Sequence, residues 1–465
     1  MIVMRDTWFD SPLSDFDPNR RLSYDSMRID GMSGLRRLLR QHGDSRDLLL
    51  FLIDGLDQAP DLLCRHLPTG RRCVVADATT AAIAANRLAD ALGAELIILP
   101  PRGEGQVVAG MTEAECLVQQ LADGGATAAI AVGSGTLNDL TKFACHRTGI
   151  PAAVVATAPS MNGYTSACAA LLDGDIKVSL PCPPPRIAVA PVDLLRQAPS
   201  RMVAAGFADL RSRPVSGADW YLGHRLLNTP YDRQALHLAH EAETITATAV
   251  DGLRTRDPDA IAALTAGLLL SGMAMDIAGT SAPSSGAEHL VSHLLDMRHH
   301  ACGGPHDLHG CQVGVATLAV ARLYERLLNS DLSTIQPPPL APWEAMSESL
   351  KPHFGRLWSA VEPVARQVHG DDDSRRTRRI ALGDNWPQIL PELRGILGAS
   401  PASPDSLLRA GAPVCFAEIS IDADGARSAL LHARFVRTRY TILDLLAELG
   451  VLEAWVDDLL ADGEM

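Results

Sequence analysis

Between residues 48 and 192 the chain alternates short, uncharged runs of branched apolar residues with longer stretches of mixed pattern. The runs at 48–53, 73–76, 96–99, 128–132 and 152–156 read as strands buried on both faces. The stretches between them, such as 79–92 and 112–122, repeat apolar residues at helical spacing. Strand alternating with helix predicts βαβ units and a parallel sheet. Residues 166–192 break the rhythm. Their apolar runs are interrupted by Asp173-Gly174-Asp175 and by Pro183-Pro184-Pro185, which predicts a hairpin-like excursion.

From about residue 199 the period becomes helical, at 202–210, 235–252, 258–275, 286–297 and 310–328. Beyond residue 333 the pattern is less regular. Gln336-Pro337-Pro338-Pro339 reads as a linker and 370–379 as a solvated charge run, with further helices over 342–369 and 441–461. No internal repeat is visible. These shifts divide the chain into an α/β domain over 1–197, an all-helical domain over 198–332 and a helical extension over 333–465, packed on the helical domain.

Composition sharpens this picture in a few places. Aromatics are only 4 % of the chain, so small aliphatic residues must fill the core. A net charge of −14 argues against nucleic-acid binding, which needs a cationic face. A small phosphate ester needs only a local cluster of donors and is not excluded. The acidic opening segment, 1–18, lacks the apolar core of a secretory signal. The run at 48–53 is too short to cross a bilayer, so no membrane span and a cytoplasmic location are expected. Nine cysteines without a Cys-x-x-Cys pair suit free thiols in a reducing compartment.

Two constellations carry chemistry. The run Ala128-Ala-Ile-Ala-Val-Gly133-Ser134-Gly135-Thr136 ends a strand in a glycine turn and opens a helix. Glycines admit a pyrophosphate close to the backbone, the helix N-terminus offers free N–H groups, and Thr136 is a candidate cap. The third glycine of the Rossmann fingerprint is missing, so the turn alone also fits plain geometry. Asp77 ends an earlier strand, where it suits either a ribose hydroxyl or an ordinary turn. A second polar turn, Thr157-Ala-Pro-Ser160-Met-Asn162-Gly-Tyr-Thr-Ser166, follows the next strand.

Further along, Asp209 lies in an apolar helical stretch, and His289 and His293 stand four apart on one helix face, with His309 following. One carboxylate with two or three histidines is a divalent-metal set that leaves a coordination position open. The six histidines between 289 and 309 also fit a solvated His-rich segment.

Taken in order, the Gly133–Lys142 loop, the Thr157–Ser166 turn, Gly206-Phe-Ala-Asp209, Ser285-Gly-Ala-Glu-His289-Leu-Val-Ser-His293 and His309-Gly310 resemble the glycerol-1-phosphate dehydrogenases. That family stands within the larger group of iron-containing alcohol dehydrogenases, glycerol dehydrogenases and dehydroquinate synthases. The resemblance covers roughly residues 45 to 330. It implies an N-terminal nucleotide-binding parallel-sheet domain followed by an all-helical metal-binding domain, with the site between them. It implies a divalent metal, zinc ahead of iron or nickel, on Asp209, His289 and His309, with His293 facing the substrate.

It also implies NAD or NADP, its pyrophosphate on Gly133, Ser134, Gly135 and Thr136, its adenosine ribose near Asp77. Asp139, Thr157 and Ser160 would line the nicotinamide side, and Asn162 would belong to the catalytic group. The implied reaction interconverts dihydroxyacetone phosphate and sn-glycerol 1-phosphate. Alternatives on the same fold are another polar carbonyl substrate, a dehydroquinate-synthase-like cyclisation, or a catalytically silent binding protein. A carboxylate at the ribose disfavours a 2′-phosphate, so NAD is expected over NADP.

Lys142 and Arg213 are the cations offered by type for the substrate phosphate. A homo-oligomer is left open. The chain departs from the family pattern at Asn162, where Asp is frequent, at Ala208 for Gly, at Cys311 for Glu, and at Arg211-Ser212-Arg213-Pro214.

Overall fold

The computed structural model describes residues 31–44, 48–102, 105–398 and 403–461, so the opening segment 1–18 lies outside them. The sheet is built from β1 (Leu49–Ile53), β2 (Arg72–Ala76), β3 (Glu95–Ile98), β4 (Ala128–Gly133) and β5 (Ala152–Ala156). β6 (Cys168–Asp173) and β7 (Ile176–Pro181) form a separate antiparallel hairpin, and β8 (Ile187–Pro191) returns to the sheet. The order is β1-β8-β5-β4-β2-β3 and every pairing is parallel.

The central strands β4, β5 and β8 are buried at each position, which is why their sequences carry no charge. Helices α1 (Gly31–Asp44), α2 (Ala59–His66), α3 (Met111–Asp123) and α4 (Gly135–Thr148) pack against the sheet. Alternate residues of β2 serve opposite faces. Val74 and Ala76 join one apolar cluster with Leu63 and Leu88, while Cys73 and Val75 join another with Leu117 and Leu140.

The remainder is helical: α5 (Ser200–Leu210), α6 (Arg213–Leu227), α7 (Arg233–Ala247), α8 (Pro258–Ala278), α9 (Ala287–Cys302) and α10 (His309–Leu328). After the proline linker come α11 (Trp343–Phe354), α12 (Trp358–His369), α13 (Asp372–Leu397), α14 (Ala423–His432), α15 (Ile442–Leu449) and α16 (Leu452–Ala461). One large cluster joins these elements, running from Phe207 in α5 through Leu268 and Leu318 to Leu393 and Leu446.

Several expectations need correction. The tail of the predicted excursion is not hairpin: Ile187 to Pro191 form β8, held between β1 and β5. The charge run 370–379 is the start of the 26-residue α13, capped by Asp371, whose side chain accepts from the Ser374 N–H at 2.7 Å. Helix α6 was hidden because it is buried on nearly every side and shows little apolar periodicity. The longest apolar segment is α8, not 48–53. It has the length and hydropathy of a membrane span, but 89 % of its most apolar window is buried, as befits a core helix. The nine cysteines are all free thiols.

Candidate metal centre and nucleotide cleft

Because β4 and β5 are neighbours in a parallel sheet, the turns that follow them leave the same edge side by side. The Thr157 N–H donates to the Gly133 carbonyl at 3.1 Å and ties the two turns together. A side chain on Gly135 would press on Met161, so the loops approach closely. Helix α4 starts at Gly135 without a side-chain cap. Thr136 sits inside its first turn and is not the cap expected of it. The uncapped N–H groups at Ser134–Thr136 therefore border a cleft of about 580 Å³.

Ser134, Gly135, Thr136, Asp139, Ser160 and Asn162 line that cleft on the sheet side. Thr157 and Gly133 are buried behind it. Asp77 ends β2 beside them as a helix cap. Its Oδ1 accepts the Thr80 N–H at 2.7 Å while its own N–H donates to Thr80 Oγ1 at 3.0 Å.

On the helical side, His289 and His293 of α9 and His309 of α10 line the same cleft. Their rings stand 5.1 Å (His289–His309), 5.7 Å (His293–His309) and 6.1 Å (His289–His293) apart. Asp209 of α5 is fully buried behind them. Its Oδ2 accepts the Asn162 N–H at 2.8 Å, which joins the metal side to the turn after β5.

Two glycines allow this assembly. A Cβ on Gly206 would lie 1.9 Å from the Pro159 carbonyl oxygen, and one on Gly310 would lie 2.0 Å from that of Ala205. Helix α5 thus presses directly on the turn, and α10 on α5. Ala208 is tolerated because Gly314 opposite it has no side chain; a Cβ there would lie 2.7 Å from the Ala208 methyl carbon.

One ligand atom each from Asp209, His289 and His309 fall within 4.8 Å of one another. His289 Nε2 lies 3.4 Å from Asp209 Oδ1, and that buried oxygen has no hydrogen-bond partner among the described residues. The other nitrogens are already engaged: His289 Nδ1 with Glu288 Oε1 at 2.8 Å, His309 Nδ1 with Ser292 Oγ at 2.9 Å. The Ser292 hydroxyl donates onward to Gln312 Oε1 at 2.7 Å. Fixing one ring nitrogen on a neighbour aims the other, as metal-binding histidines require.

The electrostatics agree with a cation between these groups. Burial works against a charged His289, but the Asp209 and Glu288 carboxylates outweigh it and raise its affinity for a proton. His309 is pushed well below the usual range by burial and by the Lys177 charge, which favours the neutral imidazole, the form that can ligate a metal. His293 is pushed down likewise, by burial and then by Arg437 and Lys177. Its Nδ1 has no partner among the described residues. An orphaned buried carboxylate oxygen beside two oriented imidazoles fits a divalent ion.

Neither cation offered for a phosphate reaches the cleft. Lys142 is 1 % exposed and faces inward. Its Nζ meets Asp139 Oδ1 at 3.1 Å and donates to the carbonyls of Gly163 (3.1 Å) and Cys168 (2.7 Å) and to Ser166 Oγ (3.2 Å). Arg213 is buried against Glu243 and His240, and Arg211 donates to the same Glu243 at 2.6 Å. The Arg211–Pro214 departure therefore builds an internal ion pair and not a substrate wall. Cys311 is buried as well, and burial pushes its thiol up to about 12, which makes it an inert core group.

Reading the sequence missed Glu288 and Ser292, although both lie inside the histidine motif and their adjacency was the available signal. It also missed Asp219, which accepts from the Ala287 N–H (2.7 Å), the Ile442 N–H (2.7 Å) and Tyr324 OH (2.6 Å). That carboxylate, pushed up to about 8 by burial, pins the start of α9 to the segment that enters α15.

A parallel sheet with a glycine turn, facing helices that carry one aspartate and three histidines, defines the class of metal-dependent alcohol dehydrogenases. Residues 53–199 match the family model described as iron-containing alcohol dehydrogenase. Glycerol dehydrogenase from Schizosaccharomyces pombe shares the fold, with a TM-score of 0.56 and 14 % identity over 89 % of this chain and 91 % of that one.

Sequence narrows the class further. The chain is 34 % identical over 306 residues to glycerol-1-phosphate dehydrogenase (NAD(P)+) of Halalkalibacterium halodurans, covering 63 % of this chain and 73 % of that protein. It is 31 % identical over 388 residues to the protein of the same name from Bacillus velezensis, covering 82 % and 86 %. The chain belongs to the glycerol-1-phosphate dehydrogenase family. The second match reaches further than residues 45 to 330, so the family likeness includes part of the region beyond residue 333.

Proposed function

We propose that this protein interconverts dihydroxyacetone phosphate and sn-glycerol 1-phosphate with NAD(P)(H) at a divalent metal held by Asp209, His289 and His309. The observation that carries this reading is the unpartnered Asp209 Oδ1 beside two oriented imidazoles, in the same cleft as the uncapped start of α4. When bound, the metal supplies Lewis acidity towards the ketone oxygen and the dinucleotide supplies the hydride.

The chain's own residues do the rest. Ser134, Gly135 and Thr136 offer backbone N–H groups to a pyrophosphate at a helix N-terminus. Gly133 supports the turn from behind, its missing side chain making room for Leu137, and Asp139 and Ser160 shape the nicotinamide side with Thr157 buried behind them. Asp77 keeps its capping role and places negative charge beside the ribose, which favours NAD over NADP. Glu288 and Ser292 hold the two ligating rings in register. His293, whose Nδ1 has no partner among the described residues, hydrogen-bonds the substrate hydroxyl, and Asn162 does so from the opposite turn through Nδ2, likewise without a partner among them. The nitrogen and oxygen donor set favours zinc, with iron and nickel as the competing ions.

The test is NADH oxidation with dihydroxyacetone phosphate on metal-stripped protein, with and without added zinc. Zinc-dependent turnover that vanishes in Asp209→Ala supports the reading. Stoichiometric metal and NADH binding without turnover means another carbonyl substrate. Failure to bind either would leave a silent member of the fold.

A further inference from the structure

We propose that Arg437 and Lys177 together form the seat for the substrate's phosphate group, a reading that rests on the phosphorylated ketone proposed above. A phosphorylated ketone brings a near-dianion into the cleft, and it needs cationic donors on the cleft wall. Lys142 and Arg213 are both tied up in buried pairs. Arg102 also borders the cleft but is held by both oxygens of Glu113, which leaves Lys177 and Arg437 as the cations that share the cleft lining with the histidines.

The hairpin explains their convergence. In its register Leu172 pairs with Lys177 and Ala170 with Ser179. Side chains alternate along a strand, so these four residues share one face, and that face is a wall of the cleft. Lys177 and Ser179 are two residues apart, which on a strand is about 7 Å. Arg437 arrives from the other end of the sequence, between α14 and α15, and donates from Nη2 to Ser179 Oγ at 3.0 Å. A single strand face therefore carries the ammonium and, through Ser179, anchors the guanidinium.

The charge balance there is uneven. Lys177 Nζ pairs with Asp296 Oδ2 at 2.5 Å, and His306 Nε2 stands 3.6 Å from the other oxygen of that carboxylate. Arg437 has no carboxylate partner among the described residues, and burial together with the neighbouring Arg439 pulls it down to about 10. Arg439 itself turns away, onto the Ser285 carbonyl and Ser281 Oγ. Lys177 thus has a carboxylate partner, whereas Arg437 has a hydroxyl one. An anion on this face would relieve the crowding of like charges.

Both cations line the same cleft as His293 and His309. The His299, His300 and His306 cluster nearby is the rival seat. Burial lowers His300 and His306, which favours their neutral forms and leaves Arg437 and Lys177 as the stronger anion donors.

The experiment compares the wild type with Arg437→Gln, Arg437→Lys and Lys177→Gln. The ketones are dihydroxyacetone phosphate and unphosphorylated dihydroxyacetone, with inorganic phosphate as a competing ligand. Arg437→Gln is expected to lower kcat/KM for the phosphorylated ketone about 10²-fold, through KM for that ketone and not KM for NADH. The preference for the phosphorylated ketone should collapse accordingly, competitive inhibition by phosphate should weaken in parallel, and Arg437→Lys should recover part of both.

A wild type active on dihydroxyacetone phosphate, beside an Arg437→Gln variant whose KM for it stays within about twofold, overturns the seat. If Arg437→Gln does not fold, judged by melting and metal content, Lys177→Gln decides by the same KM criterion. If the wild type ignores dihydroxyacetone phosphate, the functional reading fails. Phosphate binding by calorimetry to wild type and Arg437→Gln then still decides the seat, equal affinities overturning it.

Discussion

Lys142 on the sheet side and Asp209 on the helical side are buried charges of opposite sign, 1 % and 0 % exposed. Their surroundings treat them differently. Lys142 donates to protein acceptors on several sides and pairs with Asp139, so burial pulls its ammonium down but the carboxylate outweighs that and holds it above its usual value. Asp209 receives one backbone N–H on Oδ2, and its Oδ1 has no hydrogen bond among the described residues. A buried charge that is fully paired is structural, whereas one with an unanswered lone pair waits for something. The comparison teaches that residue type and motif membership do not separate the two roles. Both residues lie in family motifs, and Lys142 was, with Arg213, one of the two cations offered by type for an anion.

The sharpest way to break this contrast is Asp209→Ala. Loss of stoichiometric metal and a fall of roughly 10³-fold in turnover are expected; a variant that retains its metal, by elemental analysis, would remove Asp209 from the ligand set. Lys142→Met should act on stability. The carbonyls of Gly163 and Cys168 would lose their buried donor and the half-buried Asp139 its cation, at a cost of about 1–3 kcal/mol in denaturant unfolding. If Lys142→Met instead keeps its stability and loses affinity for substrate, the structural assignment is wrong.

Gly310→Ala probes the scaffold between the two. Its methyl meets the Ala205 carbonyl, so a loss of about 1–3 kcal/mol with weaker metal retention is expected, read by melting and metal titration. The smallest effect belongs to Asp77→Asn, which should raise the NADPH-to-NADH ratio of kcat/KM about 2- to 5-fold, since the charge is partly solvated. Equal ratios in variant and wild type would leave Asp77 a cap and nothing more.

Much of the framework was readable in the chain. Uncharged runs such as 128–132 and 152–156 became strands within a residue of their expected ends, because a strand covered on both faces tolerates no charge. β8 was obscured because its apolar run follows the Pro183–Pro185 break, and only pairing with Leu49 to Ile53 on one side and Ala153 to Val155 on the other identifies it. Helix α13 was obscured for the opposite reason: a dense charge run looks solvated whether or not it is helical, and here Asp371 caps it into a helix.

The sequence by itself determined the alternation that makes a parallel sheet, the glycine turn after β4 and the order of the motifs that carry Asp209, His289, His293 and His309. These depend on local pattern and on motifs of fixed spacing, which no partner is needed to read. Tertiary structure alone decided which charges are free. Lys142 turns inward to carbonyls brought by a later turn, Arg213 folds onto Glu243, and Arg437 reaches Ser179 across the whole helical part of the chain. The physical reason is that a charge is defined by what neutralises it. In this fold those partners come from distant segments, so their pairing exists only once the chain has closed on itself.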